Sequence, residues 1–162
     1  MFAGWKELTI VTPSQWLADR VRGSFLNKHR AIVICNGVDT DIFHPRDCEA
    51  LRRRYGLTTE SVVLAVAPDI MSEQKGEKWI LELTKSMKEF PVCFIMIGFQ
   101  REELSKIEFP ENVLPIIHTE DQVELAQYYS LADAFVICSR RETFSMTCAE
   151  ALCCGTSVVG FT

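Results

Sequence analysis

Seven short apolar runs recur along the chain, and this alternation with helical segments constrains the fold more than any other feature. The runs lie at 8–12, 31–35, 62–67, 92–97, 113–117, 134–138 and 157–160. Amphipathic segments lie between them, at 15–27, 77–89, 121–131 and 145–154. Several runs are apolar at every position, as strands covered on both faces are. The alternation predicts an α/β fold, a Rossmann-like parallel sheet with helices on both faces.

A polar, turn-rich stretch at 36–61 interrupts the alternation. It contains Asn36-Gly37, Pro45 and Gly56, and it leaves room for one short helix at 49–55. Such punctuation is typical of connecting segments. We therefore expect a domain boundary here, with residues 1–58 preceding a main unit at 59–162.

The net charge and the lengths of the apolar runs limit the kinds of partner that the chain can be expected to bind. The chain of 162 residues has a formal net charge of −5, which argues against a broad nucleic-acid surface. Its longest apolar run, 92–99, is far shorter than the roughly 20 residues that cross a bilayer, and its first residues do not resemble a signal peptide. We expect a cytoplasmic protein. The arginines at 52–54 could touch anionic lipid at the inner face of the membrane, but such a run beside glutamates is usually a solvated face.

No metal site is indicated by the sequence. The seven cysteines have no CxxC spacing, and most lie in apolar runs, as Cys35, Cys93, Cys138 and Cys148 do, so we expect reduced core residues. The segment 39–41 spells Asp-x-Asp, a pattern that can hold a divalent ion against a diphosphate. It follows Asn-Gly, away from the strand ends, which favours a turn instead.

Loops that leave the strands carry the candidate binding residues, because ligands of doubly wound sheets bind at the carboxyl ends of strands. Lys75 and Gly76 lie where a helix should begin, so lysine could reach a phosphate and glycine would let the backbone approach it. Gly98 follows the fourth run. Glu142 precedes a helix whose first free N–H groups, at about 143–145, attract anions. The alternative is that lysines and glycines are simply common at helix starts.

Glu150 is a carboxylate in the middle of an apolar helix, between Ala149 and Ala151. A carboxylate removed from water needs hydrogen-bond donors, and a sugar diol supplies two. The alternatives are a solvated glutamate, or an ion pair with one of three cations. These are Arg140, Arg141 and Lys75.

The segment ETFSMTCAEALCCGTSVVG at 142–160 resembles the signature of GT-B glycosyltransferases of family 4, also called glycosyl transferases group 1. In that signature seven residues separate two glutamates, and an Ala-x-x-x-Gly-Thr-x-Val pattern follows. Four other segments resemble the same enzymes in the same order. They are VTPSQWLADRV, VICNGVDTDIFHP, SEQKG and YYSLADAFVICS. The likeness is closest to bacterial enzymes that build capsule, exopolysaccharide or lipopolysaccharide.

The resemblance implies a retaining enzyme that transfers a sugar from a nucleoside-diphosphate-sugar donor to a glycan or lipid-linked glycan acceptor, with no metal or other cofactor. Glu142 and Lys75 would be catalytic, contacting the donor sugar and neutralising the diphosphate leaving group. Glu150 would bind the ribose hydroxyls, and the backbone at His118 would face the nucleobase. The remaining donor-binding residues would be Gly76, Gly98, Thr143, Phe144 and Ser145.

Two departures from the family pattern stand out. Relatives carry an arginine near the phosphate lysine, where this chain has Pro68 and Asp69 or Gln74, so Arg140 and Arg141 are the candidates to replace it. Complete GT-B enzymes also have two such domains. We therefore expect a fragment, in which 1–58 is a remnant of the N-terminal domain with its connection and 59–162 is an incomplete donor-binding domain. The alternatives are a non-catalytic nucleotide-sugar-binding module and an inactive truncated remnant.

Overall fold

The computed structural model describes residues 7–161, apart from the side chain of Glu77. The chain divides into two compact units. The smaller comprises the residues up to Gly37 together with Glu142–Met146, and the larger comprises Val38–Arg141 together with the residues from Thr147 onward.

The smaller unit contains one β–α–β element. Strand β1 (Thr9–Thr12) is followed by helix α1 (Gln15–Arg22) and strand β2 (Arg30–Val33), and the two strands pair in parallel. The Ser14 side chain caps α1 by accepting the Leu17 N–H at 3.3 Å. The predicted strands are confirmed, and the helix ends before residue 27 because Gly23 terminates it.

The larger unit contains a five-stranded sheet whose neighbouring strands are all parallel, in the order β5-β4-β3-β6-β7. Its strands are β3 (Ser61–Val66), β4 (Val92–Phe99), β5 (Val113–Ile117), β6 (Ala134–Ile137) and β7 (Ser157–Gly160). Its helices are α2 (Glu49–Arg54), α3 (Glu77–Ser86), α4 (Arg101–Leu104), α5 (Gln122–Leu131) and α6 (Met146–Cys153), and a 3₁₀ turn spans Glu73–Lys75. The predicted α/β Rossmann-like fold is confirmed.

Both faces of this sheet are buried. Ile95 and Ile97 of β4 lie in one core cluster with residues of α5 and α6, and Phe94 and Met96 lie in a second cluster with Ile80 of α3. Successive side chains of a strand point to opposite faces. A strand with helices on both sides therefore needs apolar residues at every position, which explains the uninterrupted runs of the sequence.

Strand β3 lies at the point where the strand order reverses. The chain continues from β3 to β4 and β5 on one side, and then returns to β6 and β7 on the other. The β3–β4 pairing extends to Val66 and Ile97, but the β3–β6 pairing stops at Leu64 and Phe135. A crevice outside the carboxyl ends of β3 and β6 is where this fold class binds ligands.

The compact units divide at Gly37–Val38 and not at the predicted boundary between residues 58 and 59. The connecting segment packs on helix α5 of the larger unit. Phe43 is 3% exposed and meets the Tyr129 ring edge-on, with ring centroids 6.1 Å apart. The Arg46 N–H donates to the Ser130 hydroxyl at 3.2 Å. The assignment of residues 1–58 to an N-terminal domain stays a prediction.

The cysteine prediction is confirmed for six of the seven residues and wrong for one. Cys138 and Cys154 are buried, and four others are partly buried. Burial raises the pKa of four of these thiols, those of Cys48, Cys93, Cys138 and Cys154. Cys35 is exposed because it follows the end of β2, beyond the pairing with β1.

Two further details concern the helices: one short helix that the sequence did not indicate, and the lengths of the others. Helix α4 was not predicted, and it is supported by a capping box in which Gln100 and Glu103 bond reciprocally to backbone N–H groups. Within residues 7–161, no helix is long and apolar enough to span a membrane.

Candidate functional site

The predicted site residues divide between the two units. In the larger unit, Lys75 and Gly76 lie in the loop after β3, Gly98 lies near the end of β4, His118 follows β5 and Glu150 lies in α6. In the smaller unit, Glu142, Thr143, Phe144 and Ser145 form the segment that immediately precedes α6. Because all strands of the larger sheet are parallel, the loops after β3, β4, β5 and β6 share one edge.

Gly76 brings the loops after β3 and β6 into direct contact. Its φ angle is +78°, and a Cβ atom added there would overlap the carbonyl oxygen of Cys138. Only glycine tolerates both conditions, so the sequence signal at Gly76 reflects close packing of two loops of the chain itself. The preceding residue, Lys75, ends the 3₁₀ turn, and its backbone N–H donates to the Ser72 carbonyl at 3.0 Å.

A pocket of about 540 Å³ lies between these two loops. It is lined by Glu73 and Gln74 from the loop after β3 and by Arg140 and Arg141 from the loop after β6, all of them exposed. Gln74 is one of the positions where the family pattern expects an arginine. The two arginines therefore bring positive charge to a pocket that Gln74 also lines, next to the negative charge of Glu73.

Glu150 is partly buried, and the Tyr129 hydroxyl donates a hydrogen bond to its Oε2 at 2.9 Å. Burial raises the pKa of the Glu150 carboxyl, and the hydrogen bond from Tyr129 partly opposes that rise. Neither the diol hypothesis nor the ion-pair hypothesis included a tyrosine. A signal was present in the sequence, because a tyrosine inside an apolar helix needs a partner for its hydroxyl.

Gly98 and His118 make backbone contacts within the sheet. Gly98 has a φ angle of +128°, and a Cβ atom there would overlap the carbonyl oxygen of Ala67, so the close approach is to the chain's own backbone. The His118 N–H donates to the Phe99 carbonyl at 2.9 Å, and its side chain is exposed. That N–H is therefore occupied, while the roles of both residues in donor binding stay predictions.

The segment before α6 differs in one respect from the sequence-based expectation. Ser145 has a φ angle of +64°, in the left-handed region that residues other than glycine seldom occupy. The helix therefore begins at Met146, and its first turn lies after the expected 143–145. Thr143 is exposed, whereas Glu142, Phe144 and Ser145 are partly buried.

The Asp-x-Asp segment forms a turn, as predicted. The Asp39 carboxylate accepts the Asp41 N–H at 3.0 Å, and the Asp39 carbonyl accepts the N–H groups of Ile42 and Phe43. In the part of the chain that the structure describes, no three His, Cys, Asp or Glu side chains are grouped so that they could hold a metal ion.

Comparison with known families gives a match over most of the larger unit. Residues 60–162 match the family described as "Glycosyl transferases group 1". The chain belongs to this family. The family resemblance that the two-glutamate segment predicted is therefore confirmed at this level.

Curated relatives of this group 1 glycosyltransferase chain are about three times longer. The D-inositol 3-phosphate glycosyltransferase of Geodermatophilus obscurus is 30% identical over 148 residues, which cover 80% of this chain and 32% of the relative. The N-acetyl-alpha-D-glucosaminyl L-malate synthase of Bacillus anthracis is 20% identical over 134 residues, covering 78% and 34%. The chain thus spans about a third of the length of these relatives.

Solved structures show the same fold. Sucrose-phosphate synthase from Thermosynechococcus elongatus superposes with a TM-score of 0.75 at 22% identity, covering 94% of this chain and 40% of that one. The Anabaena protein HepE, in complex with UDP and glucose, superposes with a TM-score of 0.71 at 20% identity, covering 94% and 44%. These likenesses establish the Rossmann-like architecture of GT-B glycosyltransferases.

Proposed function

We propose that this chain is the donor-binding part of a retaining glycosyltransferase that uses a nucleoside-diphosphate sugar. The observation that carries the proposal is the contact between the loops after β3 and β6 at the switch point, with Arg140 and Arg141 lining a pocket beside the Lys75-Gly76 turn. Guanidinium groups bind phosphate oxygens through paired, charge-assisted hydrogen bonds. The pocket therefore suits a diphosphate.

The leaving group is where these cations act. When the glycosidic bond to the donor breaks, negative charge develops on the departing diphosphate, and positive groups already in place stabilise it. Lys75 and the two arginines are proposed to fill this role. Glu142 is proposed to orient the donor sugar, and the backbone at Thr143, Phe144 and Ser145 to contact the sugar or the diphosphate.

The nucleoside is proposed to bind through Glu150, which accepts hydrogen bonds from the ribose hydroxyls. A carboxylate has two oxygens with about four lone-pair sites, and Tyr129 occupies one of them. The rest remain for the ribose diol. Gly76 and Gly98 shape the edge on which the nucleotide lies, and the carbonyl of His118 is the group left to face the nucleobase.

Binding of the acceptor is proposed for the whole protein, and this chain is proposed to supply the half that binds the donor. Assignment to family 4 and transfer to a surface glycan stay proposals, because the relatives carry names that refer to inositol phosphate and L-malate. Retention of anomeric configuration is proposed with the donor phosphate helping to deprotonate the acceptor. No metal or other cofactor is proposed, and a location at the inner face of the membrane stays a prediction.

Calorimetric titration of the chain with UDP, GDP and ADP tests the donor site. One nucleotide should bind, and Lys75→Ala and Glu150→Ala should each weaken it by about tenfold, the loss expected for one charge-assisted hydrogen bond. A control, Lys85→Ala on the last turn of α3, should bind as the unaltered chain does. A folded chain that binds no nucleotide at millimolar concentration would contradict the proposal, and binding without transfer by the whole protein would favour the non-catalytic module.

A further inference from the structure

Tyr129 is held in one position from several directions. Its side chain is fully buried, and its ring meets the rings of Phe43 and Phe135 edge-on, at centroid distances of 6.1 and 5.7 Å. Its carbonyl accepts a hydrogen bond from the Thr156 hydroxyl at 2.5 Å. Rings from the connecting segment and from β6 thus hold the side chain, and Thr156, just before β7, holds the backbone of the same residue, so the hydroxyl has a defined place.

That hydroxyl is aimed at the carboxylate proposed to bind ribose. It donates to Glu150 Oε2 at 2.9 Å. Burial, together with the nearby Glu150 charge, raises the pKa of Tyr129, so its hydroxyl stays protonated and remains a donor. Burial alone would favour the protonated form of Glu150, and the hydrogen bond favours the ionised form, which accepts hydroxyl donors.

We infer that Tyr129 is a positioning residue for nucleoside recognition, which holds the Glu150 carboxylate in the orientation that meets both ribose hydroxyls. The inference rests on the donor-site function proposed above. Glutamate has several rotatable bonds, and a ligand that must fix them binds more weakly. The hydrogen bond from a rigid tyrosine fixes the carboxylate before the nucleotide arrives.

A purely structural role would have a different signature. If the Tyr129 hydroxyl only satisfied a polar group beside the core, its removal would alter stability and would affect all nucleotides equally. If it positions Glu150, its removal must affect only nucleotides that carry the ribose hydroxyls. The sugar dependence therefore separates the two roles.

The test compares Tyr129→Phe with the unaltered chain, using the tightest binder among UDP, GDP and ADP and the 2′,3′-dideoxyribose analogue of the same nucleotide. Phenylalanine keeps the buried ring and removes only the hydroxyl. Affinity for the ribonucleotide should fall on the order of tenfold, as when a group that orients a ligating side chain is removed. Affinity for the dideoxy analogue should not change.

Tyr128→Phe is the matched control. Tyr128 is the adjacent residue of α5, it is 1% exposed, and its hydroxyl is also hydrogen bonded, to the Tyr55 hydroxyl at 2.6 Å. It should bind both nucleotides as the unaltered chain does. In a Glu150→Ala background, Tyr129→Phe should cause no further loss, because the group it positions is gone.

If Tyr129→Phe does not fold, a fluorine label on the tyrosines of the unaltered chain tests the same role. The chain has three tyrosines, Tyr55, Tyr128 and Tyr129, so fluorotyrosine gives three ¹⁹F signals. The Tyr129 signal should move when the ribonucleotide binds and stay in place with the dideoxy analogue, and the other two should move little with either.

The outcomes separate this inference from the function beneath it. Binding of no nucleotide overturns the donor-site function and the role of Tyr129 with it. A ribonucleotide that binds equally to the unaltered chain and to Tyr129→Phe overturns the positioning role alone. Equal losses for the ribonucleotide and its dideoxy analogue also overturn it, and assign Tyr129 to structure.

Discussion

The loops that follow the strands lie at one edge of the larger sheet, and this edge has two halves, one formed by the loops after β3 and β6 and the other by the loops after β4 and β5. Both halves contain a glycine, but the two glycines have different surroundings. At the carboxyl ends of β3 and β6, the loops meet at Gly76 and leave a pocket lined by Arg140 and Arg141. At the carboxyl ends of β4 and β5, Gly98 packs against Ala67 and the His118 N–H is bonded to Phe99, so backbone meets backbone. A glycine after a strand therefore does not by itself mark a ligand site.

The two halves differ in how far their strands stay paired and in the sides of the sheet to which their loops lead. Strands β4 and β5 are paired almost to their ends, because the pairing continues to Phe99 and Ile117 after a register shift between Ile97 and Phe99. Between β3 and β6 the pairing stops early, and the two loops that leave these strands serve opposite sides of the sheet. The open space that Glu73, Gln74, Arg140 and Arg141 line results from this topology.

The glycines provide the largest expected effect. Gly98→Ala should lower the free energy of unfolding by about 3 kcal/mol or more, because the added methyl overlaps the Ala67 carbonyl at a φ angle of +128°. Urea denaturation measures this. Gly23→Ala, where a Cβ would meet nothing nearer than 3.6 Å, is the control. A Gly98→Ala chain as stable as the control would show that the β4 end is not tightly packed.

Gly76→Ala sharpens the same comparison. It should separate the loops after β3 and β6, so nucleotide affinity should fall along with stability. Titration of whatever fraction folds would check this, and undiminished affinity would detach the pocket from the contact at Gly76.

The next largest effect is expected when a positive charge is removed from the pocket. Arg140→Ala and Arg141→Ala should each weaken nucleoside diphosphate binding by about tenfold, the loss of one exposed hydrogen bond between charged groups. Arg101→Ala, at the exposed start of α4 on the other half of the edge, should leave affinity unchanged. Titration with the diphosphate and the nucleoside alone adds a second check, since only the diphosphate should respond.

If instead Arg101→Ala weakened binding as much as the two substitutions in the β6 loop did, the halves would not differ in function. The diphosphate would then be attracted by the general charge of the edge.

The pH dependence of stability gives a smaller effect. Because the folded-state pKa of Glu150 is raised above its ordinary value of 4.5, the folded chain binds this proton more tightly than the unfolded chain does. The contribution to stability is full below pH 4.5 and is lost as pH rises through the raised pKa. Denaturation across this range should show Glu150→Gln with a flatter profile, and identical profiles would place Glu150 in water.

The smallest effect is expected at His118. Its side chain is exposed and its N–H is already bonded, so His118→Ala should change nucleotide affinity by less than about threefold, within the range of an ordinary surface substitution. A larger loss in the titration would mean that the imidazole itself contacts the nucleotide.

The sequence predicted the strands and the larger helices well, because burial on both faces leaves a pattern of its own in runs such as 92–97. It placed Gly76 and Arg140 in loops at one edge, as the structure has them, since loops after parallel strands must share an edge; their part in donor binding stays a prediction. It indicated that the Tyr129 hydroxyl needs a partner but not that the partner is Glu150, because the pairing of α5 with α6 across the core leaves no mark in local spacing. It did not show that the segment from Val38 belongs to the same compact unit as the larger sheet, because the burial of Phe43 depends on a contact with Tyr129 far along the chain.

The most direct test of the central claim is two-dimensional ¹H–¹⁵N NMR of the chain during titration with the bound nucleoside diphosphate. The account predicts that the largest shifts fall on the amides of 73–76 and 138–141, where the diphosphate is proposed to bind, with Glu150 also affected. Gly98 and His118 should shift less, because they are proposed to meet only the nucleoside end of the ligand through backbone that is already bonded or packed. Shifts that concentrate at the ends of β4 and β5, or no shifts at millimolar nucleotide, would contradict it.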